Sequence, residues 1–205
     1  RGRTLTRGRQ AWACPGGTTG CICDAVIRRD HPFVLLDDAR AEGAAPARLY
    51  QAPVGIVEAR AVTDVTPALD RIRAARHRGQ HAAGYIAYEA AAAFEPALRS
   101  LPTGDAPLLW FGLFERYDEI APGDVPALLP DPAAAWAGTP LPDVDRAGYA
   151  DRFDLVHALI EAGDIYQANL SYRARVPVAG DPLAIYARLR GSAQAGDGPV
   201  VSTGG

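Results

Sequence analysis

The chain contains no lysine and no methionine, and only three cysteines among its 205 residues. Without lysine, a Walker-type phosphate loop is excluded, because that loop needs a lysine after its last glycine. The cysteines, Cys14, Cys21 and Cys23, could be joined by His31 as a fourth soft ligand, but their spacing matches no common zinc pattern. No serine sits in a Gly-x-Ser-x-Gly elbow, so that route to a nucleophile is also missing. Long hydrophobic runs are lacking too: the longest, Ala106 to Phe114, falls far short of the ~20 residues needed to cross a bilayer, and no charged-then-apolar signal opens the chain. The expected location is therefore cytoplasmic, with no membrane partner. Excess positive charge is absent as well, the formal net charge being -3. Nothing provides the clustered basic surface that nucleic acid would require.

What is present is the composition of an ordinary globular protein, 48% hydrophobic and 22% charged. Residues 1–31 read as a disordered tail: Arg1, Arg3, Arg7 and Arg9 lie among Gly and Thr with no acid before Asp24 and no apolar period. From Pro32 the character changes. Phe33-Val34-Leu35-Leu36 is an apolar run stopped by Asp37-Asp38, as a buried strand ending in a turn would be. After a polar loop over 39–46, a second strand is predicted over Val54 to Ala61. Thr66-Pro67 then predicts a helix start, with Thr as N-cap and Pro at the first position, and Gly79 its stop. Val65, Leu69 and Ile72 share a face of that helix. His81 to Glu89 predicts a central strand covered on both faces, and Leu108 to Phe114 a second buried strand in which Gly112 admits another backbone.

Prolines between Pro122 and Pro142, spaced by Ala and Gly, have linker composition and divide a subdomain over 32–120 from a second region over 148–205, with 121–147 between them. Tyr149, Phe153, Val156 and Ile160 form a helical stripe that Gly163 ends. Then the period becomes two. Ile165 to Val176 alternates Tyr166, Ala168, Leu170, Tyr172, Ala174 and Val176 against Gln167, Asn169, Ser171, Arg173 and Arg175, which predicts a long strand with one polar face. Asp181-Pro182 opens a last helix through Arg190.

Few constellations carry chemistry by spacing alone. Gln167, Asn169 and Ser171 could orient a polar ligand, yet a face of this kind more often bonds neighbouring strands or water. Asp164 beside Gly163 suits a turn that bonds its own backbone. His77 and His81 flank Gly79, which breaks the helix that would bring them to one metal. Glu89 and Glu95 are separated by the end of an element, and nothing makes them converge as an acid and base.

The order of four stretches is more specific. Tyr85-Ile86-Ala87-Tyr88-Glu89 with Phe94-Glu95-Pro96, then Pro107 to Phe114 (Pro-Leu-Leu-Trp-Phe-Gly-Leu-Phe), then Ala162 to Ser171 (Ala-Gly-Asp-Ile-Tyr-Gln-Ala-Asn-Leu-Ser), then Gly180-Asp181-Pro182-Leu183 with Tyr186 to Arg190, resemble the anthranilate synthase and aminodeoxychorismate synthase component I family. The positions that carry the motif are Gly163, Asp164, Ile165, Tyr166, Gln167, Asn169 and Ser171. Their wording, with the Leu-Trp-Phe-Gly-Leu-Phe run, leans to the aminodeoxychorismate branch, and the resemblance spans about Pro32 to Val201.

The resemblance implies an α+β fold of antiparallel sheets packed with helices, incomplete at the C-terminus. It implies amination of chorismate at the 4-position for p-aminobenzoate and folate synthesis, with Mg²⁺ as cofactor and ammonia from a glutamine amidotransferase partner. The other branch, anthranilate synthase, stays open, as does a non-catalytic module that binds the amidotransferase or an effector. In that family the metal-binding glutamates, a substrate-binding Arg and a Lys nucleophile lie further along than these residues run. No catalytic and no metal-binding residue is therefore expected here, and no metal is expected to bind the fragment. The missing initiator Met and the bare Ser202-Thr203-Gly204-Gly205 end add to the expectation of an inactive fragment. An effector pocket is implied at Leu36, Asp37 and Asp38, where Asp38 replaces the usual Ser.

Overall fold

The structure is a computed structural model that describes residues 26–98, 104–196 and 198–204. In chain order its regular elements are β1 (Phe33–Asp37), β2 (Ala47–Gln51), β3 (Gly55–Ala59), α1 (Val62–His77), β4 (His81–Ile86), β5 (Leu109–Phe114), β6 (Asp118–Ile120), α2 (Val125–Leu128), β7 (Ala135–Ala137), β8 (Leu141–Pro142), α3 (Arg146–Glu161), β9 (Ala174–Arg175), β10 (Val178–Gly180), α4 (Pro182–Ala193) and β11 (Gly198–Ser202). Short 3-10 turns cover Tyr88–Ala93, Pro96–Leu98 and Pro132–Ala134. All strand pairs are antiparallel. The fold is α+β, with antiparallel sheets packed against helices, and it divides into two compact units: residues up to Leu128 together with 195–205, and Leu129–Gln194.

In the first unit, alternation along β5 explains the layering. Trp110 and Phe114 point one way, into a buried cluster with Val34 of β1, Tyr50 of β2 and Ala83 of β4. Leu109 points the other way and, with Phe111 and Leu113, meets Val57 and Ala59 of β3 and Val65, Ala68 and Ile72 of α1. The three-stranded sheet β3-β5-β4 is thus sandwiched between the four-stranded sheet β11-β1-β2-β6 and α1. Each large side chain so buried contributes about 1.5–3 kcal/mol. These two apolar layers, rather than the exposed ion pairs of roughly 0–1 kcal/mol each, hold the unit together.

Several sequence expectations are corrected here. The strand β2 falls in a stretch given no element; its alternation, Ala47 and Leu49 against Arg48 and Tyr50, is only five residues long. Helix α1 begins four residues before Thr66, because Asp64 already organises a start: its Oδ2 accepts from the N–H of Ala61 at 3.4 Å, and its own N–H donates to the Ala61 carbonyl at 3.0 Å. Pro67 therefore lies inside the helix. Its ring nitrogen cannot make the bond to the carbonyl four residues back. Gly79 does follow the helix end, at φ +86°, and the face carrying Val65 and Ile72 is buried as expected.

Strand β4 stops at Ile86, and Tyr88 to Ala93 winds into a 3-10 turn instead. It is β5, not β4, that lies in the middle of its sheet. Gly112 faces the ring of Phe114, whose Cε2 is 2.6 Å from where a β-carbon would lie. The close approach of backbone occurs at Gly84 instead, against Trp110 and Phe111. Residues 198–202, which showed no element in the sequence, form β11 and pair with β1 in the register Phe33↔Ser202 to Asp37↔Gly198.

In the second unit, side-chain caps fix both long helices. Asp145 Oδ1 accepts from Gly148 N–H at 2.8 Å to start α3, and Asp181 Oδ1 accepts from Leu183 N–H at 2.9 Å to start α4. Pro182 occupies the first position of α4, as the sequence predicted. Strand β7 pairs with β10 and β8 with β9. Helix α4 packs on β7 and on the Pro132–Ala134 turn, burying Leu183 and Ala184.

Candidate functional site

The motif segment Gly163 to Ser171 starts as the end of α3. Gly163 takes φ +79°, its N–H donates to the Ile160 carbonyl at 3.1 Å, and the Asp164 N–H donates to the Leu159 carbonyl at 3.0 Å. That pair of bonds is a Schellman ending, which satisfies the last carbonyls of the helix and turns the chain back on itself. Gly163 and Asp164 thus set the direction in which residues 165–173 leave the helix.

Those residues do not form the long strand that alternation predicted. Only Ala174–Arg175 is β structure, as β9, and residues 165–173 lie outside any ladder. A strand needs a neighbour for its N–H and C=O groups, and the ladder with β8 begins only at Ala174. Gln167, Asn169 and Ser171 are exposed, and the Ser171 hydroxyl donates to the Asn169 carbonyl at 3.2 Å. Tyr166 is 95% exposed and Ile165 half-buried. The far end is tied down: Tyr172 meets Tyr149 edge-on with centroids 5.7 Å apart. Arg173 and Asp143 exchange two bonds, Arg173 N–H to Asp143 Oδ1 at 3.2 Å and Asp143 N–H to the Arg173 carbonyl at 2.9 Å. The segment accordingly runs from the C-terminal end of α3 back to its first turns, presenting short amide and hydroxyl groups to solvent. It offers hydrogen bonds to a polar ligand.

The other stretch singled out by sequence, Leu36-Asp37-Asp38, belongs to the first unit. Leu36 is partly exposed on β1, while Asp37 and Asp38 are both buried. Asp38 is engaged on every side. Its Oδ1 accepts from Arg40 Nε at 2.9 Å and Arg40 N–H at 3.2 Å, and its Oδ2 from Arg40 Nη2 at 2.6 Å and Ala45 N–H at 2.9 Å. The guanidinium and then the Ala45 N–H hold its carboxyl well below the usual carboxylate range, against the opposing effect of burial.

Sequence reasoning missed a third grouping. Tyr50 packs against Phe114, Tyr117 and His81 at centroid distances of 5.4, 5.1 and 6.4 Å, and His81 meets Tyr117 edge-on at 5.0 Å. Arg48 lies over the Tyr117 ring at 5.4 Å. Burial pushes the Tyr50 phenol up, and Arg48 partly offsets this. The only signal was alternation in the unrecognised β2. His77, by contrast, sits in the last turn of α1, so the two histidines belong to different elements.

Glu95 accepts from the Ala97 N–H at 3.0 Å, an element-ending role, and Glu89 lies in the 3-10 turn before it. Among the described residues, no three of His, Cys, Asp and Glu converge where they could hold a metal ion. The three cysteines lie outside the described residues. A groove beside α4, lined by Trp136, Ile185, Arg188, Leu189 and Ser192, encloses about 180 Å³. That is below the ~300–1,000 Å³ usual for small-molecule sites. No helix among the described residues is long and apolar enough to cross a membrane.

Residues 31–197 match the family model described as chorismate binding enzyme, a span that takes in most of both compact units. No curated protein and no solved structure matches the chain.

Proposed function

Because the chain belongs to the family of chorismate-binding enzymes, we propose that it is part of an enzyme that aminates chorismate at the 4-position, giving 4-amino-4-deoxychorismate for p-aminobenzoate and folate. The observation that carries this reading is the family match over 31–197. The choice of branch over anthranilate synthase rests on the wording of Tyr166-Gln167-Ala168-Asn169-Leu170-Ser171 and of Leu109 to Phe114. In this reading Gln167, Asn169 and Ser171, exposed where α3 hands the chain on, help to build the chorismate region by hydrogen bonding. Mg²⁺ and a glutamine amidotransferase that delivers ammonia belong to the whole enzyme, which works in the cytoplasm.

The 205 residues themselves are inactive in this reading, since they contain no lysine to add to the ring. The purified chain with chorismate, Mg²⁺ and ammonium is expected to give no product. Formation of aminodeoxychorismate would overturn the inactivity. The reaction itself is tested with the complete open reading frame that encodes these residues, expressed in a bacterium that requires p-aminobenzoate. Growth without p-aminobenzoate is the expected result. Rescue of a tryptophan-requiring strain instead would assign the anthranilate branch, and rescue of neither would sink the catalytic reading.

A further inference from the structure

The donors on Asp38 are of two kinds. The N–H groups of Arg40 and Ala45 are main-chain donors, at 3.2 and 2.9 Å, fixed by a loop whose start is pinned where the Ala39 N–H donates to the Ala195 carbonyl at 2.9 Å. The Arg40 guanidinium is a side-chain donor on a flexible stem. Its Nε donates to both carboxylate oxygens, at 2.9 and 3.2 Å, its Nη2 donates to Oδ2 at 2.6 Å, and Nη2 also reaches the Gly43 carbonyl at 3.2 Å. The stem passes beside Gly196, with Arg40 Nε and Cδ at 3.4 and 3.5 Å from the β-carbon position. The exposures differ sharply: the Asp38 side chain is 9% exposed, the Arg40 side chain 52%.

Taking away the guanidinium would leave a nearly buried carboxylate, still oriented by two main-chain N–H groups, that opens onto a space reached from solvent. An uncompensated buried charge is strongly unfavourable and is relieved by a counter-charge with matching hydrogen bonds. A planar fork of N–H donors fits a carboxylate in this way better than a point charge does.

We propose that Asp38 is a guanidinium subsite which the chain closes from within, Arg40 being its built-in occupant, and that a small external guanidinium takes the place once Arg40 is removed. The pair lies within the β1–β2 loop, which the Ala39–Ala195 hydrogen bond ties to the segment entering β11, with the Arg40 stem beside Gly196. This is independent of the chorismate reading.

The test uses the 205-residue chain, Arg40→Ala, and the double variant Asp38→Asn/Arg40→Ala, each titrated with methylguanidinium chloride at concentrations well below denaturing ones. Thermal midpoint and calorimetric binding are the readouts. Arg40→Ala is expected to melt below the parent chain and to recover most of that loss in a saturable manner, as binding to the folded state requires. The parent chain and the double variant are expected not to respond. No saturable response in Arg40→Ala, or an equal response in either of the other two, would overturn the proposal. If Arg40→Ala does not fold, Arg40→Gln, which leaves one carboxylate oxygen without a side-chain donor, carries the same comparison.

Discussion

Gly84 of β4 lies so close to Trp110 of β5 that a β-carbon on it would collide with the Trp110 carbonyl oxygen and approach the α-carbon of Phe111 to 2.7 Å. The obstacle is main chain, which cannot rotate away as a side chain can. Gly84→Ala is expected to lower stability by about 1–3 kcal/mol, the usual effect of overpacking, in urea unfolding. Gly55→Ala in β3 meets only the Leu113 Cδ1 at 3.7 Å, an ordinary contact, and is the control. Equal effects from the two substitutions would show that the Gly84 approach is not what limits this sheet.

The Trp110 side chain fills the layer between the two sheets of the first unit and is fully buried. Trp110→Ala removes a large aromatic there, with an expected loss of about 3–5 kcal/mol. Measured by chemical denaturation, a loss below about 1 kcal/mol would mean that the two sheets do not depend on that layer.

Tyr50 gives the same layer a response to alkaline pH. Its phenol holds its proton more tightly in the folded chain than in the unfolded one, because burial outweighs the nearby Arg48. The resulting stability is complete below the ordinary tyrosine value of about 10 and is lost as pH rises through the higher folded value. Tyr50→Phe is expected to flatten this alkaline fall in unfolding free energy. An unchanged slope in Tyr50→Phe would remove Tyr50 as its source.

The Asp38 carboxyl works in the opposite direction. Held well below the ordinary range, it adds stability that is complete above the unfolded carboxyl value of about 4 and fades as pH falls through the lower folded value. The difference in melting midpoint between the chain and Asp38→Asn should be constant from neutral pH to about 5 and shrink only in stronger acid. A difference already gone at about pH 5 would contradict the hydrogen bonds on that carboxylate.

Pro67 occupies α1 without a role in starting it. Replacing it with Ala restores a helical N–H, and the propensity gain exceeds the entropy that proline removes from the unfolded chain. Pro67→Ala is expected to stabilise by about 1–2 kcal/mol. A loss of stability in thermal melts would show that the helix depends on the proline.

What the sequence made legible was whatever its own residues determine locally. The buried run at Phe33, the Leu109 to Phe114 strand, the helix ended by Gly163 and the Asp181-Pro182 helix start each need only neighbours in sequence. The misses needed partners far away. Thr66-Pro67 resembled a helix start until Asp64 supplied an earlier one, and β2 and β11 were too short to stand out without the strands they pair with. Ile165 to Val176 shows the reverse error: perfect alternation is permission to join a sheet, not a sheet. Of the two stretches singled out for a site, Gly163 to Ser171 could be found but its exposed, unpaired course could not, since that depends on what lies alongside. The aromatic group at Tyr50, Tyr117 and His81 joins three segments that no local pattern links.

The pairing of β1 with β11 has a consequence during synthesis. Among the described elements, β1 is the first to be made and one of its two neighbours, β11, the last. Until Ser202 arrives opposite Phe33, the growing chain carries an open strand edge of Phe33-Val34-Leu35-Leu36, the sort of surface that chaperones and other nascent chains recognise. A ribosome that stalls within α4 would hold that edge open.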